Sequence, residues 1–300
     1  MSGPGVNPEL SPHVPVAERL PPPGLASLPP EMSEGARTAM RFVIAVIAAL
    51  VALAALGGLG AASFALATSR VVTDSQVLST GMRSLTIDTG DVPVPVRVIT
   101  DAEAKEPRVD LRTVTRSDDT PLTVVPDGVG SRITLGDSDS RFLWLVGTGL
   151  SIILPPNVAR ELSVTVNHRT GPLTTDADLD QLVVNSNAGT VELGGSARMI
   201  DVDVRHGDIS TGARIAVTES FRATSESGNI SVEFRSAPRV TEAIAGGNAT
   251  VGLPSSGSYR VTAGSEFGST TVDVAETTDP RAPEVTVHSK NGNAKVNEIR

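Results

Sequence analysis

Three aspartates at alternate positions, Asp176, Asp178 and Asp180, are the first residues whose spacing could do chemistry. Carboxylates at positions one, three and five open a calcium loop of the EF-hand type, which then needs glycine at position six and glutamate at position twelve. Gln181 and Asn187 occupy those two places. The sequence therefore favours solvated acids, with a weak extracellular calcium site as the alternative. It predicts no resident metal and no cofactor.

A second acidic cluster, Asp201, Asp203, His206 and Asp208, holds the residue types of a metal site or an acid–base pair. The apolar residues that alternate with it are Ile200, Val202 and Val204. Because alternate side chains of a strand point to opposite faces, the aspartates at 201 and 203 are expected on a wet outer face. We therefore predict no catalytic residue. The alternative is a polysaccharide-cleaving enzyme of β-helix type, with Arg205 and Arg214 near the carboxylates in sequence.

The composition excludes several other classes of chemistry. The chain has no cysteine and four histidines, which excludes a disulfide framework, thiol catalysis and a cysteine-rich zinc site. Its net charge of −9 argues against nucleic-acid binding. No nucleophile elbow, phosphate loop or dinucleotide fingerprint occurs. Aromatic residues make up only 3%, which fits poorly with a carbohydrate-binding module built on aromatic platforms.

The first 69 residues divide into a tail and an apolar span. Residues 1–40 are rich in proline and predict a disordered tail. Within 41–69, the uncharged run Phe42–Ala67 is long enough for a single transmembrane helix in contact with the lipid bilayer. Ala65-Leu66-Ala67 has the form of a signal-peptide cleavage site, but the span is too long for the usual signal peptide, so a retained anchor is favoured. Basic residues near the span do not fix its orientation.

The sequence from residue 70 onward predicts strands throughout. It divides into a leading β region at 70–160 and a glycine-turn repeat region at 161–300. Short alternating runs occur at Leu85–Asp88, Val94–Ile99, Val109–Val114, Leu122–Val125, Ile133–Leu135 and Leu150–Leu154. The run Phe142–Val146 is the most apolar outside the membrane span and predicts a buried strand, a cap or a partner-binding patch.

Seven glycines mark the repeat, namely Gly171, Gly189, Gly207, Gly228, Gly247, Gly268 and Gly292. Seven residues before each glycine stands an apolar residue: Val164, Leu182, Ile200, Phe221, Val240, Val261 and Val285. At the position five residues before each glycine, six of the seven residues are apolar, and Glu242 is the exception. Positions +2 and +4 after each glycine favour small or β-branched residues, as in Ile209 and Thr211. The pattern therefore predicts that each unit is a strand, a glycine turn and a second strand with one apolar face. One unit cannot bury that face alone, so neighbouring units must stack.

Stacked units of about 20 residues predict an all-β fold of β-solenoid or β-helix type. An antiparallel β-roll, barrel or sandwich built from the same strands is the alternative.

The glycine-centred segments resemble the repeats of the bacterial putative-adhesin family. The segments are SNAGTVEL, RHGDISTG, SESGNISVEF and HSKNGNAKV, and GLSIILPPNVARELSVTVNHRTG is similar to the entry into that family's repeats. The resemblance covers about residues 80–300. It implies an envelope protein, often behind one membrane helix, with the tail inside and the repeats outside. It implies no catalytic residues.

Together these features predict a non-catalytic, membrane-anchored cell-envelope protein. It would be single-pass in the plasma membrane with its C-terminal domain outside, and would act as an adhesin-like scaffold or binding module. An envelope polymer or a protein is the expected partner, and nucleic acid is not. An envelope-stress sensor and the polysaccharide-active enzyme are the alternatives.

Overall fold

The computed structural model describes residues 51, 70–115, 122–136 and 148–299 of the protein. The chain divides into two compact units, Met1–Ser63 and Phe64–Arg300. All described residues except Val51 belong to the second unit, and the fold below is that of this unit alone. Its described residues form 19 strands and one short helix, which confirms the all-β prediction.

The predicted membrane helix, Phe42–Ala67, lies outside the described residues apart from Val51, as do the tail at 1–40 and the run Phe142–Val146. Within the described part of the chain, no helix has the length and apolar character needed to cross a membrane. The predicted localisation, single-pass in the plasma membrane with the C-terminal domain outside, is wrong by this finding. The described apolar residues alternate along strands and bury one face, whereas a spanning helix needs about 20 consecutive apolar residues.

The leading region holds seven strands followed by the helix. They are β1 (Arg70–Val77), β2 (Ser84–Asp88), β3 (Val96–Thr100), β4 (Arg108–Thr115), β5 (Leu122–Asp127), β6 (Gly130–Leu135), β7 (Gly149–Leu154) and α1 (Pro156–Ala159). Each of the six alternating runs predicted here falls within or overlaps one of these strands. Antiparallel pairs occur only in this region among the described strands, as β1–β4, β4–β7 and β5–β6.

Twelve further strands complete the described chain. They are β8 (Ser163–Thr170), β9 (Leu173–Ala188), β10 (Val191–His206), β11 (Ile209–Thr211), β12 (Ile215–Ser227), β13 (Ile230–Ser236), β14 (Val240–Ala245), β15 (Ala249–Pro254), β16 (Arg260–Ser265), β17 (Thr270–Asp273), β18 (Glu284–Ser289) and β19 (Ala294–Ile299). Every described pair between strands of this set is parallel. An antiparallel roll or sandwich therefore does not describe the repeat region.

Each strand that leads into a corner glycine, together with the strand that follows it, forms one winding of the chain. The two strands of a winding pair with the neighbouring windings. Val164 lies beside Leu182 and Leu182 beside Ile200, while after the corner Leu173 lies beside Val191. The inward side chains of both strands join one hydrophobic core, in which Val164, Leu182 and Ile200 are at most 3% exposed.

The corner glycines of successive windings lie on top of one another. A Cβ atom on Gly207 would stand 1.8 Å from the carbonyl oxygen of Gly189, and one on Gly189 would stand 2.0 Å from that of Gly171. The φ angles of Gly207 and Gly189 are +148° and +136°, which side-chain-bearing residues rarely adopt. The corner therefore admits only glycine on two independent grounds, conformation and contact with the winding beneath.

The winding at Gly247 departs from the predicted register by one residue. Phe221 pairs with Thr241, not with Val240, and the corner between β14 and β15 is one residue shorter than the corner before it. Thr241 is consequently buried, whereas Val240 is 46% exposed. The prediction that Val240 faces the core is wrong for this reason. Glu242, the exception in the apolar column, points outward and pairs with Arg222.

The order of windings in space differs from their order along the chain at both ends. The β2–β3 winding lies between β6–β7 and β8–β9, since β2 pairs with β6 and β8 and β3 pairs with β7 and β9. At the other end, β18–β19 lies between β14–β15 and β16–β17. The last winding of the chain is therefore an inner one, and β16–β17 closes the stack.

Candidate functional site: a polar groove on the outer face

A groove of about 820 Å³ runs across the outer face of the first windings, on the strands that lead into the corners. Its lining is polar and comprises Asp88, Gly90, Asp91, Asn167, His168, Arg169, Asn185, Ser186, Asn187, Asp203, Arg205 and Glu226. The outward-facing members of this set form two rows, because residues four and two positions before each corner recur in register from one winding to the next.

The first row consists of Asp88, Asn167, Asn185 and Asp203. Register pairs join each member to the next along β2, β8, β9 and β10. The amide of Asn185 donates a hydrogen bond to the side-chain oxygen of Asn167 at 3.1 Å. Neighbouring strands lie roughly 4.8 Å apart, so this row presents one polar group per winding at that spacing.

The second row consists of Arg169, Asn187, Arg205 and Glu226. Arg205 donates to the side-chain oxygen of Asn187 at 3.1 Å, and its Nε lies 3.8 Å from a carboxylate oxygen of Glu226. Arg169 pairs with Asp91 in the corner after β2. These contacts cross from winding to winding and fix the side chains relative to each other.

The balance of charge in the groove is acidic. Four carboxylates, at Asp88, Asp91, Asp203 and Glu226, face two guanidinium groups, at Arg169 and Arg205. Amides, carboxylates and guanidinium groups together offer hydrogen-bond donors and acceptors in alternation. The arrangement suits a ligand with many hydroxyl groups and no strong negative charge.

His168 underlies the groove and is 3% exposed. Its Nδ1 lies 3.2 Å from the hydroxyl of Thr89, and its Nε2 has no hydrogen-bond partner in the described structure. Burial lowers the pKa of His168, and an interaction with the Gly171 backbone opposes this shift in part. The imidazole is therefore neutral at pH 7 and adds no charge to the groove.

The three aspartates of the alternative calcium site do not converge. Asp176, Asp178 and Asp180 lie on the outward side of β9, where Thr175, Ala177 and Leu179 are buried between them. Asp178 accepts a hydrogen bond from Ser196 at 2.6 Å. Asp180 accepts two from Arg198, at 2.9 and 3.1 Å. Within the described residues, no group of three or more His, Cys, Asp or Glu side chains could hold a metal ion.

The second candidate cluster, Asp201, Asp203, His206 and Asp208, is also divided. Asp201 and Asp203 lie exposed on the outer side of β10, as expected, and only Asp203 lines the groove. His206 is exposed at the end of β10, and Arg214 pairs with Glu233 instead of an aspartate of this cluster. Asp208 lies past the corner and accepts hydrogen bonds from the backbone and side-chain amides of Asn229, at 2.7 and 3.0 Å.

Asp208 is the first member of a ladder of hydrogen bonds beside the glycines. Asn229 accepts from Asn248, Asn248 accepts from Asn293, and Asn293 accepts from the backbone and hydroxyl of Ser269. Each side-chain oxygen thus satisfies a backbone N–H of the next winding. These residues stabilise the corner, and their oxygens are already used within the protein.

Sequence reasoning missed most residues of the groove, namely Asp88, Asp91, Asn167, Arg169, Asn185 and Glu226. The signal was present in the glycine alignment. Four positions before the first three corners stand Asn, Asn and Asp, and two positions before the first four stand Arg, Asn, Arg and Glu. These polar columns do not stand out by residue type, because polar residues are expected on any solvent-facing side of a strand.

A comparison with solved structures matches the chain to bacterial proteins. A putative cell adhesion protein from Clostridium sporogenes is 11% identical, with 77% of this chain and 100% of that chain covered and a TM-score of 0.37. A putative adhesin from Bacteroides fragilis is 10% identical, with 77% and 97% covered and a TM-score of 0.38. A putative lipid binding protein from Parabacteroides distasonis is 13% identical over the same shares, with a TM-score of 0.36. No family model and no curated protein matches the chain.

Proposed function

We propose that the protein is a non-catalytic binding module of the cell envelope. In this proposal the parallel windings form a β-solenoid, and the polar groove on its outer face binds a polymer rich in hydroxyl groups. The resemblance of the glycine-centred segments to the putative-adhesin family supports the envelope setting. The seven stacked corners support the solenoid.

The observation that carries the proposal is the register of the two polar rows. Asn167, Asn185 and Asp203 occupy equivalent positions of consecutive windings. Asn187 and Arg205 do the same two residues closer to the corner glycine. Hydrogen bonds between windings hold these side chains before any ligand arrives. Groups that are already ordered lose less conformational entropy on binding, which favours affinity. A repeating row of polar groups is suited to a repeating ligand.

The charge of the groove narrows the ligand class. Four acids and two arginines repel a polyanion, attract a chain that carries protonated amino groups and do not repel a neutral chain. We therefore propose neutral or amino-sugar polysaccharides, and not acidic ones, as ligands. Hydrogen bonds to hydroxyl groups, and not stacking on aromatic rings, supply the affinity.

Affinity electrophoresis of the full-length chain tests this proposal with three soluble polymers: a neutral β-glucan, a chitosan and an alginate. We expect retardation by the glucan, the chitosan or both, and none by the alginate. The double variant Asn167→Ala/Asn185→Ala should weaken binding about tenfold, since each lost hydrogen bond contributes roughly 0.5–1.5 kcal/mol.

The matched control is Ser231→Ala/Glu233→Ala, which changes two exposed residues of β13 outside the groove. Binding of this control should equal that of the wild type. No retardation by any of the three polymers, or equal losses in both variants, would refute the groove as the site. Release of reducing ends that Asp203→Asn abolishes would replace the proposal with a polysaccharide-cleaving enzyme.

A further inference from the structure

The first polar row of the groove continues for one winding beyond each of its ends. Asp88 pairs with Thr134 of β6, and Asp203 pairs with Thr224 of β12. The next register position after Thr224 is the apolar Ile244, which ends the row. The extended row, called the polar strip below, has two amides at its centre, a carboxylate on either side of them and a hydroxyl at each end. Its members, in spatial order, are Thr134, Asp88, Asn167, Asn185, Asp203 and Thr224.

The two guanidinium groups of the groove are already paired with acids. Arg169 pairs with Asp91, and the Nε of Arg205 lies 3.8 Å from a carboxylate oxygen of Glu226. Two of the four acids in the groove therefore have a cationic partner within the protein. The other two have none among the described residues. They are the aspartates of the polar strip, and they carry the net negative charge of the groove.

The carboxylates of Asp88 and Asp203 are accessible to a ligand. Asp203 is exposed, and no described residue forms a hydrogen bond or ion pair with its carboxylate. Asp88 is half-buried, and one of its oxygens accepts a hydrogen bond from the backbone N–H of Gly90 at 3.0 Å. Three windings separate the two aspartates, which is roughly 14 Å because neighbouring strands lie about 4.8 Å apart. The polar strip therefore offers two separate positions for a positive charge, one on each side of the amides.

We infer that the polar strip binds a linear amino-sugar chain that lies along the stacking axis, with protonated amines at Asp88 and Asp203. This inference rests on the proposed function and specifies the class and the orientation of the ligand. An extended β-1,4-linked chain advances by about one strand spacing per sugar ring, so four rings reach from one aspartate to the other. An ammonium group supplies both positive charge and hydrogen-bond donors to a carboxylate. Hydroxyl groups of the intervening rings bind the central amides of Asn167 and Asn185.

Isothermal titration calorimetry of the full-length chain with glucosamine oligomers of two to six rings tests this inference. The buffer is held at about pH 5.5, at which aspartates are ionised and the amines of the sugar are protonated. Affinity should rise about tenfold from two rings to four, because the chain then reaches both aspartates, and should change little beyond six. The β-1,4-linked glucose tetramer, which has no amine, should bind about tenfold more weakly than the glucosamine tetramer.

Three aspartate variants identify the positions of the charge. Asp88→Asn and Asp203→Asn should each weaken binding of the glucosamine tetramer about fivefold and leave binding of the glucose tetramer unchanged, since partly solvated ion pairs contribute modestly. The matched control is Asp201→Asn. It removes the same charge from the exposed side of the same strand, β10, at a residue outside the groove, and should bind both tetramers like the wild type.

Equal affinities for the two tetramers, no rise of affinity with length, or equal losses in all three variants would each overturn the inference and leave polymer binding by the groove intact. A lysine tetramer that competes as well as the glucosamine tetramer would also overturn it, because charge alone would then select the ligand. Failure of every tetramer to bind, together with no retardation by the glucan or the chitosan in electrophoresis, would refute the proposed function itself.

Discussion

The windings that turn at Gly189 and Gly207 each lie on the winding that precedes them by 18 residues in the chain. At the C-terminal end, β18–β19 lies between β14–β15 and β16–β17, so Val240 pairs with Glu284, 44 residues later. The first arrangement is sequential and can form as the chain extends. The second requires the last residues of the chain to enter between two earlier windings.

This difference separates two sources of order. In the middle, each winding is held by a short corner whose glycine fits only against the glycine beneath it. At the end, the inserted winding joins two others that would not touch each other without it. Order in the middle windings therefore depends on contact between stacked corner glycines. Order at the C-terminal end depends on the presence of β18–β19. The β2–β3 winding is likewise inserted between two others, β6–β7 and β8–β9, at the opposite end.

Truncation after Pro283 should have the largest effect. It removes β18–β19, and with them the described partners of β16 and β17 and one neighbour each of β14 and β15. A sequential stack that lost its last winding would lose one interface, whereas this protein loses two. We expect limited proteolysis followed by mass spectrometry to show new cleavage between 255 and 283, with 163–211 still resistant. Unchanged resistance between 255 and 283 would contradict the inserted arrangement.

Gly207→Ala should have the next largest effect. The added Cβ atom would stand 1.8 Å from the carbonyl oxygen of Gly189, and φ is +148°. Backbone strain and overpacking together should cost about 3–5 kcal/mol of unfolding free energy, measured by urea denaturation.

Gly128→Ala is the matched control for Gly207→Ala. Gly128 lies in the turn between β5 and β6 with φ at +62°, and no atom lies within 4 Å of its added Cβ. Only the left-handed conformation then costs energy, about 1–2 kcal/mol. Equal losses in the two variants would show that conformation alone, and not stacking, selects glycine at the corners.

Two valine-to-alanine variants compare how well the core is buried in the two regions. Val202 is fully buried in the middle, and Val261 is only partly buried in the closing winding. Val202→Ala should cost about 2–3 kcal/mol and Val261→Ala about 1 kcal/mol, in proportion to the apolar area each buries. Urea denaturation gives both values. A loss at Val261 as large as that at Val202 would mean that the closing winding is covered.

The same contrast explains what the sequence could predict. Alternation in β8 to β10 predicted the inward side chains of Val164, Leu182 and Ile200, because equal spacing keeps the register from winding to winding. Val240 was misplaced because one residue is missing from its corner, and period-two patterns invert when the register slips by one. The inserted windings were not predictable from spacing at all, because Gly292 follows Gly268 in the chain but precedes it in the stack.

The groove was less predictable than the core for a related reason. Apolar residues identify a buried face by their type alone, whereas Asn167, Asn185 and Asp203 resemble ordinary surface residues until the strands bring them together. Asp176, Asp178 and Asp180, whose spacing opens a calcium loop, are neighbours in sequence. Their partners come from other windings, which sequence distance does not reveal.

Arg198→Ala should have a smaller effect than any of the variants above. Arg198 bonds to Asp180 on one winding and to Glu219 on another, at 2.7 Å for the second contact. These groups are partly in solvent, and ion pairs there contribute little because water screens them. We expect a loss of stability below that of Val261→Ala. Arg132→Ala, which breaks a pair with Asp127 in the β5–β6 hairpin, is the control and should lose still less.

The pH dependence of that loss distinguishes the ion pair from packing by the arginine stem. Hydrogen bonds from Arg198 lower the pKa of Asp180, with burial opposing the shift. A carboxyl group with a lowered pKa in the folded state contributes its stability above the ordinary aspartate pKa of about 3.9 and loses it as the pH falls toward the folded value. The gap between wild type and Arg198→Ala in urea midpoint should therefore be full at pH 7 and shrink below about pH 4. A gap that stays constant across this range would assign the effect to packing, because the methylene stem of the arginine does not titrate.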